Sequence, residues 1–225
     1  MLDAEVGLFM VADGMGGHQG GEVASHLAVA TVADDIRAGH GADLAAEGVS
    51  SELPMARLSG ALRRANARVY AAGAADPALA GMGTTVTALL MGLRDAVIGS
   101  VGDSRAYLVR SGITVQLTHD DTWLVSMLGR DGARAAAARA HPMRHVLTSI
   151  IGTRDGAPPE MVSVPIQTGD LFVLTTDGLH NVVDDETIGR LALSAPPGEA
   201  AADLVQEALK RQTTDNVTVV IVRAD

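Results

Sequence analysis

The chain has no cysteine. Disulfides, thiolate metal sites and a cysteine nucleophile are therefore excluded. It has little aromatic character, with one Trp, two Tyr and two Phe, so its core must be built from Val, Leu, Ile, Ala and Met. Basic charge is scarce: Lys and Arg number 17 against 27 Asp and Glu, and the net charge is -10. Nucleic-acid binding and adhesion to anionic membranes both need basic surface, and neither is expected here. No apolar run reaches the length of a membrane span, and no basic-then-apolar leader opens the chain. Together with the absence of cysteine, this fits a cytoplasmic protein. Hydrophobic residues nevertheless make up 47 % of the 225 residues, enough to bury a substantial core. We find no linker or repeat that would divide the chain, the nearest being the Ala-rich stretch 132–140, and read 1–225 as a single domain.

Apolar runs bounded by turn residues predict strands over 7–12, 84–91, 96–101, 106–109, 114–117, 161–164, 171–175 and 217–222. Ser111-Gly112 marks a hairpin over 105–117, which the strand beginning at Ala96 is expected to join. Two helices are predicted between the first two strands, over 22–38, ended by Gly39, and over 54–72. The second carries Met55, Leu58, Leu62, Ala65 and Val69 as one stripe, with Pro54 in its first turn. A further helix is predicted over 197–211. Strands and helices do not alternate, so the expected class is α+β, with antiparallel sheets flanked by helices.

Four acidic motifs are spread along this framework. They are Asp13-Gly14-Met15-Gly16-Gly17-His18, Gly102-Asp103-Ser104-Arg105, Thr176-Asp177-Gly178 and Thr214-Asp215-Asn216. Carboxylates beside glycine at strand ends are the donors that Mg²⁺ or Mn²⁺ prefers. Asp13 can offer both oxygens, and Gly14 can expose its carbonyl. Two such ions, about 3.5–4 Å apart, would clamp an in-line displacement and activate a water. An acidic protein that handles phosphate needs that positive charge. Each pair taken alone reads as an ordinary turn; the ordered set does not.

The chain resembles the metal-dependent Ser/Thr protein phosphatases of the PP2C (PPM) family in their bacterial form. The resemblance rests on Val11 to His18 with Gly21-Glu22-Val23-Ala24-Ser25, on Gly83-Thr84-Thr85, and on Gly102-Asp103-Ser104-Arg105-Ala106-Tyr107. It continues through Leu117-Thr118-His119-Asp120-Asp121-Thr122, His141-Pro142, the run from Gly169 to Leu179, and Thr214 to Thr218. It implies a four-layer αββα sandwich, in which two antiparallel sheets are flanked by helices. It also implies two Mn²⁺ or Mg²⁺ ions held by Asp13, the Gly14 carbonyl, Asp177 and Asp215, and a third, weaker ion at Asp120. Asp103 matches a supporting position rather than a ligand, and residues 122–162 match a flap beside the site. The implied activity is hydrolysis of phosphoserine and phosphothreonine by a metal-activated water, with Asp13, Asp177 and Asp215 as the catalytic carboxylates. Phosphorylated proteins would be the partners, a cognate Ser/Thr kinase among them.

Two departures qualify the resemblance. The family's opening strand, its phosphate-binding Arg and its acidic Asn-Glu-Asp or Asn-Gln-Asp turn have no counterpart here, so an exposed sheet edge is expected. The second is that Met15 stands where eukaryotic members carry a His proposed as general acid. His18 is a weak candidate for that role, and His26, His40, His119, His141, His145 and His180 show no ligand spacing. Arg105 and Arg144 could each bind phosphate or pair locally. A second reading is a catalytically weak PPM-fold module that binds phosphoproteins or regulates. A third, a phosphatase acting on an anti-sigma-antagonist type of regulator, shares the chemistry of the first.

Overall fold

The computed structural model describes residues 1–16, 18–43, 52–134, 141–156 and 158–225. The side chain of His18 and the stretch 135–140 lie outside the described residues. The chain opens with β1 (Leu2–Asp3), β2 (Leu8–Val11) and β3 (Gly14–Met15), followed by α1 (His18–Asp43) and α2 (Glu52–Ala75). Next come β4 (Gly83–Thr84), β5 (Val86–Met91), β6 (Asp95–Val101), β7 (Arg105–Arg110) and β8 (Ile113–Gln116). Then follow α3 (Trp123–Arg134), β9 (Glu160–Pro165), β10 (Leu171–Thr175), α4 (Asp177–His180), α5 (Asp185–Ala192), α6 (Pro197–Lys210) and β11 (Val219–Arg223). One sheet runs β1-β2-β5-β6-β9, the other β11-β10-β7-β8, and β3 pairs with β4 apart from both. Every pairing is antiparallel.

Side-chain alternation explains the layers. In β10, Leu171 and Val173 pack with Leu179, Val183, Ile188 and Leu204 of the helical side. Phe172 and Leu174 face the opposite way, against Leu89 and Ile98 of the other sheet. In β5, Val86, Ala88 and Leu90 meet α1 and α2 through residues such as Val32, Leu58 and Leu62, while Leu89 points between the sheets. Successive residues of a strand point to opposite faces, so strands buried on both faces read as unbroken aliphatic runs. The product is the expected four-layer αββα sandwich, with very few aromatics. No helix of the described residues is long and apolar enough to cross a membrane.

The structure corrects several boundaries. The helix predicted to stop at Gly39 continues to Asp43. Gly39 lies inside the helix rather than at its cap; a Cβ on it would meet only the end of the Arg57 side chain, at 2.5 Å. The hairpin is present, with Ser111 at φ 53 and Gly112 at φ 77, the two positive angles that a tight two-residue turn needs. The strand from Ala96 does not join it. β6 pairs with β5 and β9 in one sheet, and β7 with β8 and β10 in the other. The chain crosses between sheets at Gly102 (φ 103), where a Cβ would meet the Thr85 side chain at 2.6 Å. The edge of β2, expected to be bare, is paired with β1 through Leu2↔Phe9 and Asp3↔Leu8, and the Met1 ammonium donates to the Met10 carbonyl at 2.8 Å. Three helices, α3, α4 and α5, go beyond the sequence prediction.

Candidate metal centre

Asp13 leaves the end of β2 with its backbone fully engaged. Its N–H donates to Thr85 Oγ1 at 3.0 Å, and its carbonyl accepts from the Thr85 N–H and from Thr84 Oγ1, both at 2.8 Å. Thr85 Oγ1 in turn bonds Ser104 Oγ at 2.7 Å, and Thr87 Oγ1 donates to the Ser104 carbonyl at 2.8 Å. The Gly83-Thr84-Thr85 and Gly102-to-Arg105 motifs thus meet as one buried hydroxyl network. Such networks hold geometry because every buried polar group is partnered. Asp13 is left with only its carboxylate to offer.

Glycines let the other ligand loops close in. A Cβ on Gly14 would lie 2.0 Å from the Gly21 carbonyl oxygen, and one on Gly21 would lie 2.6 Å from that of Gly14. The strand carrying Gly14 therefore rests backbone to backbone on the first turns of α1. A Cβ on Gly178 would lie 2.2 Å from the Asn216 carbonyl oxygen. Across that contact Thr213 Oγ1 donates to the Gly178 carbonyl at 2.8 Å, and Thr176 Oγ1 accepts from the Thr218 N–H at 3.0 Å. The motifs around Asp177 and Asp215, far apart in sequence, are joined here. Gly178→Ala should force these loops apart, destabilising the fold by the about 1–3 kcal/mol typical of overpacking, which lowers the melting temperature, and weakening Mn²⁺ binding. A thermal melt with and without Mn²⁺ checks it; an unchanged Mn²⁺-induced shift would mean that the contact does not shape the site.

Asp13, Asp177, Asp215 and Asp103 share one electrostatic environment. Burial, then the charges of Asp177 and Asp215, push the Asp13 carboxyl up to about 7. Burial, then Asp177, Asp120 and Asp13, do the same to Asp103, also to about 7. Asp177 is raised by burial and by Asp215. Its Oδ2 accepts from Asn181 Nδ2 at 3.0 Å, whereas its Oδ1 is buried with no hydrogen-bond partner. Asp215 is exposed, with Oδ1 accepting its neighbour Asn216 N–H at 2.8 Å. Among the described residues no three acidic or imidazole side chains form a ready-made cage; Asp13 and Asp177 are the convergent pair. An oxygen-only donor set, mutually repelling carboxylates and an orphaned buried oxygen suit hard divalent cations. The residues present fit such a group.

Asp120 has a protein partner. Arg105 Nε donates to its Oδ1 at 2.8 Å and Arg105 Nη2 to its Oδ2 at 2.6 Å, with Gln116 Nε2 adding a bond to Oδ1 at 3.1 Å. Of the two arginines, Arg105 is thus paired locally. Arg144 lines a cleft of about 600 Å³ together with Asp103, Arg105, Asp120, His145 and His180. A second cleft of about 560 Å³ is lined by Asp13, Gly14, Met15, Glu22, Asn216 and Thr218. Sequence reasoning undervalued Asp103 and His145. Asp103 is charge-coupled to Asp13, Asp120 and Asp177. His145 acts electrostatically on Asp177, opposing its rise. Ligand spacing could not reveal either, because both couplings cross elements. His180 is held neutral, pushed well below its usual value by burial and then by Arg105 and His145, and its Nδ1 bonds Thr175 Oγ1 at 3.0 Å.

A double antiparallel sandwich with a carboxylate centre where its strands end defines a class, and the comparisons agree. Residues 2–217 match the family model described as protein phosphatase 2C, and the chain belongs to that family. It is 36 % identical over 214 residues to the serine/threonine protein phosphatase PstP of Mycobacterium tuberculosis, covering 95 % of this chain and 40 % of that protein. It is 32 % identical over 219 residues to the serine/threonine phosphatase stp of Listeria monocytogenes, covering 97 % and 84 %. The solved catalytic domain of PstP, in complex with two manganese ions, superimposes with a TM-score of 0.80 at 33 % identity, covering 95 % of this chain and 86 % of that one. The chain spans about two-fifths of the full length of PstP.

Proposed function

We propose that this chain is the catalytic domain of a metal-dependent protein serine/threonine phosphatase, with residues 1–225 acting as one unit. The observation that carries the reading is the Asp13–Asp177 pair, with Asp177 Oδ1 buried and unpartnered, in a chain of this family. Asp13, the Gly14 carbonyl, Asp177 and Asp215 would hold two Mn²⁺ or Mg²⁺ ions, and Asp120 a third, weaker one. When bound, the ions supply positive charge and the activation of a water for in-line attack on phosphorus.

The protein's own part is positional. The Thr84–Thr85 clamp aims the Asp13 carboxylate, Asn181 orients that of Asp177, and the contact at Gly178 sets the approach of Asp215. No side chain needs to become a covalent intermediate. Met15 carries no exchangeable proton, so water or another group in the cleft protonates the leaving serine or threonine oxygen. Substrates would be phosphoserine and phosphothreonine proteins, a cognate kinase among them, in the cytoplasm.

The test is hydrolysis of a phosphothreonine peptide and of p-nitrophenyl phosphate with Mn²⁺ and with excess EDTA. Turnover that needs Mn²⁺ is expected. Turnover that persists in chelator would overturn the metal assignment. A folded, Mn²⁺-loaded protein without turnover would mean a phosphoprotein-binding module instead.

A further inference from the structure

Asn66 stands where an apolar residue is expected. The buried face of α2 is Leu58, Ala61, Leu62, Ala65, Asn66 and Val69, and Asn66 is the one polar side chain in that set. Asparagine is a weak helix former, and burying its amide costs free energy unless the amide is hydrogen-bonded. Here it is bonded to a segment 86 and 87 residues further along the chain. Its Oδ1 accepts from the Gly152 N–H at 2.7 Å and from the Thr153 N–H at 3.0 Å, and its Nδ2 donates to the Thr153 carbonyl at 2.9 Å. Both lone pairs of Oδ1 are thereby used. The segment it holds leads to the metal centre. The Ile151 N–H donates to the Thr84 carbonyl at 2.9 Å, and the Thr84 N–H to the Ile151 carbonyl at 3.0 Å. Thr84 thus has Ile151 on one side and Gly14 of β3 on the other. Its hydroxyl is the group that donates to the Asp13 carbonyl.

We propose that Asn66 is a positioning residue of the metal centre: through Gly152, Thr153 and Ile151 it holds Thr84, and with it the backbone that presents Asp13 and Gly14 to the cations. The inference rests on reading Asp13 and Gly14 as metal ligands. Asn66 itself touches neither of them, so its action is mechanical. Without its amide, two N–H groups and one carbonyl at 152–153 lose their partner and must turn towards water. Ile151 precedes them directly, and its two bonds to Thr84 are then no longer braced from α2. Thr84 and the Asp13 carbonyl keep their own bond but gain freedom to shift together. A cation site tolerates little of that, because groups that orient a metal ligand from behind set its affinity. The core face of α2 is thereby tied to the ligand loop of β3, two elements that the sequence separates by α1.

Calorimetric Mn²⁺ titration of the full chain tests this, together with thermal melts and hydrolysis of a phosphothreonine peptide over a range of Mn²⁺ concentrations. Asn66→Ala should keep the number of bound ions and weaken their binding by about tenfold. Its hydrolysis should need correspondingly more Mn²⁺, with kcat at saturating Mn²⁺ within about threefold of the wild type. Asn66→Asp keeps the shape and both accepted bonds but loses the donated one. It should weaken Mn²⁺ binding by about threefold and carries the test if Asn66→Ala fails to fold. Leu62→Ala opens a cavity one turn away on the same buried face. It should lower the melting temperature but leave Mn²⁺ affinity within about twofold. Wild-type Mn²⁺ affinity in a folded Asn66 variant would overturn the inference. So would a Leu62→Ala variant that binds Mn²⁺ as weakly as Asn66→Ala, since the cause would then be general loosening of the core. No Mn²⁺ binding by the wild type would overturn the proposed function, and this inference with it.

Discussion

Asp177→Asn will lower Mn²⁺-dependent turnover of a phosphothreonine peptide by at least about 10³-fold, equivalent to about 4 kcal/mol of barrier. The fold will persist. Asp177 heads α4 directly after β10, where Thr176 is tied to Thr218 on both sides of the ladder. Those bonds are made by the backbone and by the Thr176 hydroxyl, none of which the substitution touches. Asn keeps the shape and one carbonyl oxygen but loses the charge that a divalent ligand set needs. In chelator the variant should melt higher than the wild type. Burial and Asp215 make the Asp177 carboxylate costly to ionise, and the amide removes that cost. For a chain of this size, each 1 kcal/mol relieved raises the melting temperature by about 2–4 °C. Activity and metal-free stability should therefore move in opposite directions. Steady-state kinetics and two thermal melts check it, and wild-type turnover in the variant would sink the assignment of Asp177 as a ligand.

The second large effect is a pH-dependent stability that Mn²⁺ abolishes. In chelator the melting temperature should fall as pH rises from about 5 to about 8. Asp13 and Asp103 titrate near about 7 in the folded chain, against 3.8 for the ordinary carboxyl. The folded state therefore holds more protons than the unfolded one between those values. Its extra stability is complete below the unfolded pKa and is lost as pH climbs through the folded one. Saturating Mn²⁺ should flatten the profile, because cations take over the neutralising role of the protons. At 100 times its dissociation constant, each ion site adds about 2.7 kcal/mol. The experiment is a series of melts across that range with EDTA and with Mn²⁺. A metal-free melting temperature that rises with pH would show that the carboxylates are not crowded as described. Chelation should also stop hydrolysis.

Some of this molecule was legible in the chain because its causes are local. The apolar stripe of α2 placed Leu58, Leu62, Ala65 and Val69 inside, and all four are buried. β10 was read at both ends, since its aliphatic run is bounded by Gly169-Asp170 before it and Thr176-Asp177-Gly178 after it. The α+β class followed from the order of predicted elements, and the family from the order of motifs. Other features depend on contacts between distant residues. β6 and β7 looked like one meander until Thr85 packed against Gly102 and sent the chain into the second sheet. Gly39 looked like a helix end because glycine is the usual C-terminal signal, yet α1 runs on through it to Asp43. Short α4 and α5 carry too few residues for a periodic pattern to be read.

The candidate site divides in the same way. The sequence by itself determined the donor chemistry: four carboxylate motifs, glycines beside them, no thiol, and too little basic charge to hold phosphate without cations. Those properties belong to residue types and survive any arrangement of the chain. Only the tertiary structure decided which carboxylates meet and what each one meets. Asp177 Oδ1 is left without a partner, Asp103 is drawn into the electrostatics of Asp13 and Asp177, and Asp120 is claimed by Arg105. Hydrogen bonds and charge couplings act through space rather than along the chain, and the carboxylates of residues 13, 103, 120, 177 and 215 are coupled only once two sheets stack and two pairs of glycine-lined loops close.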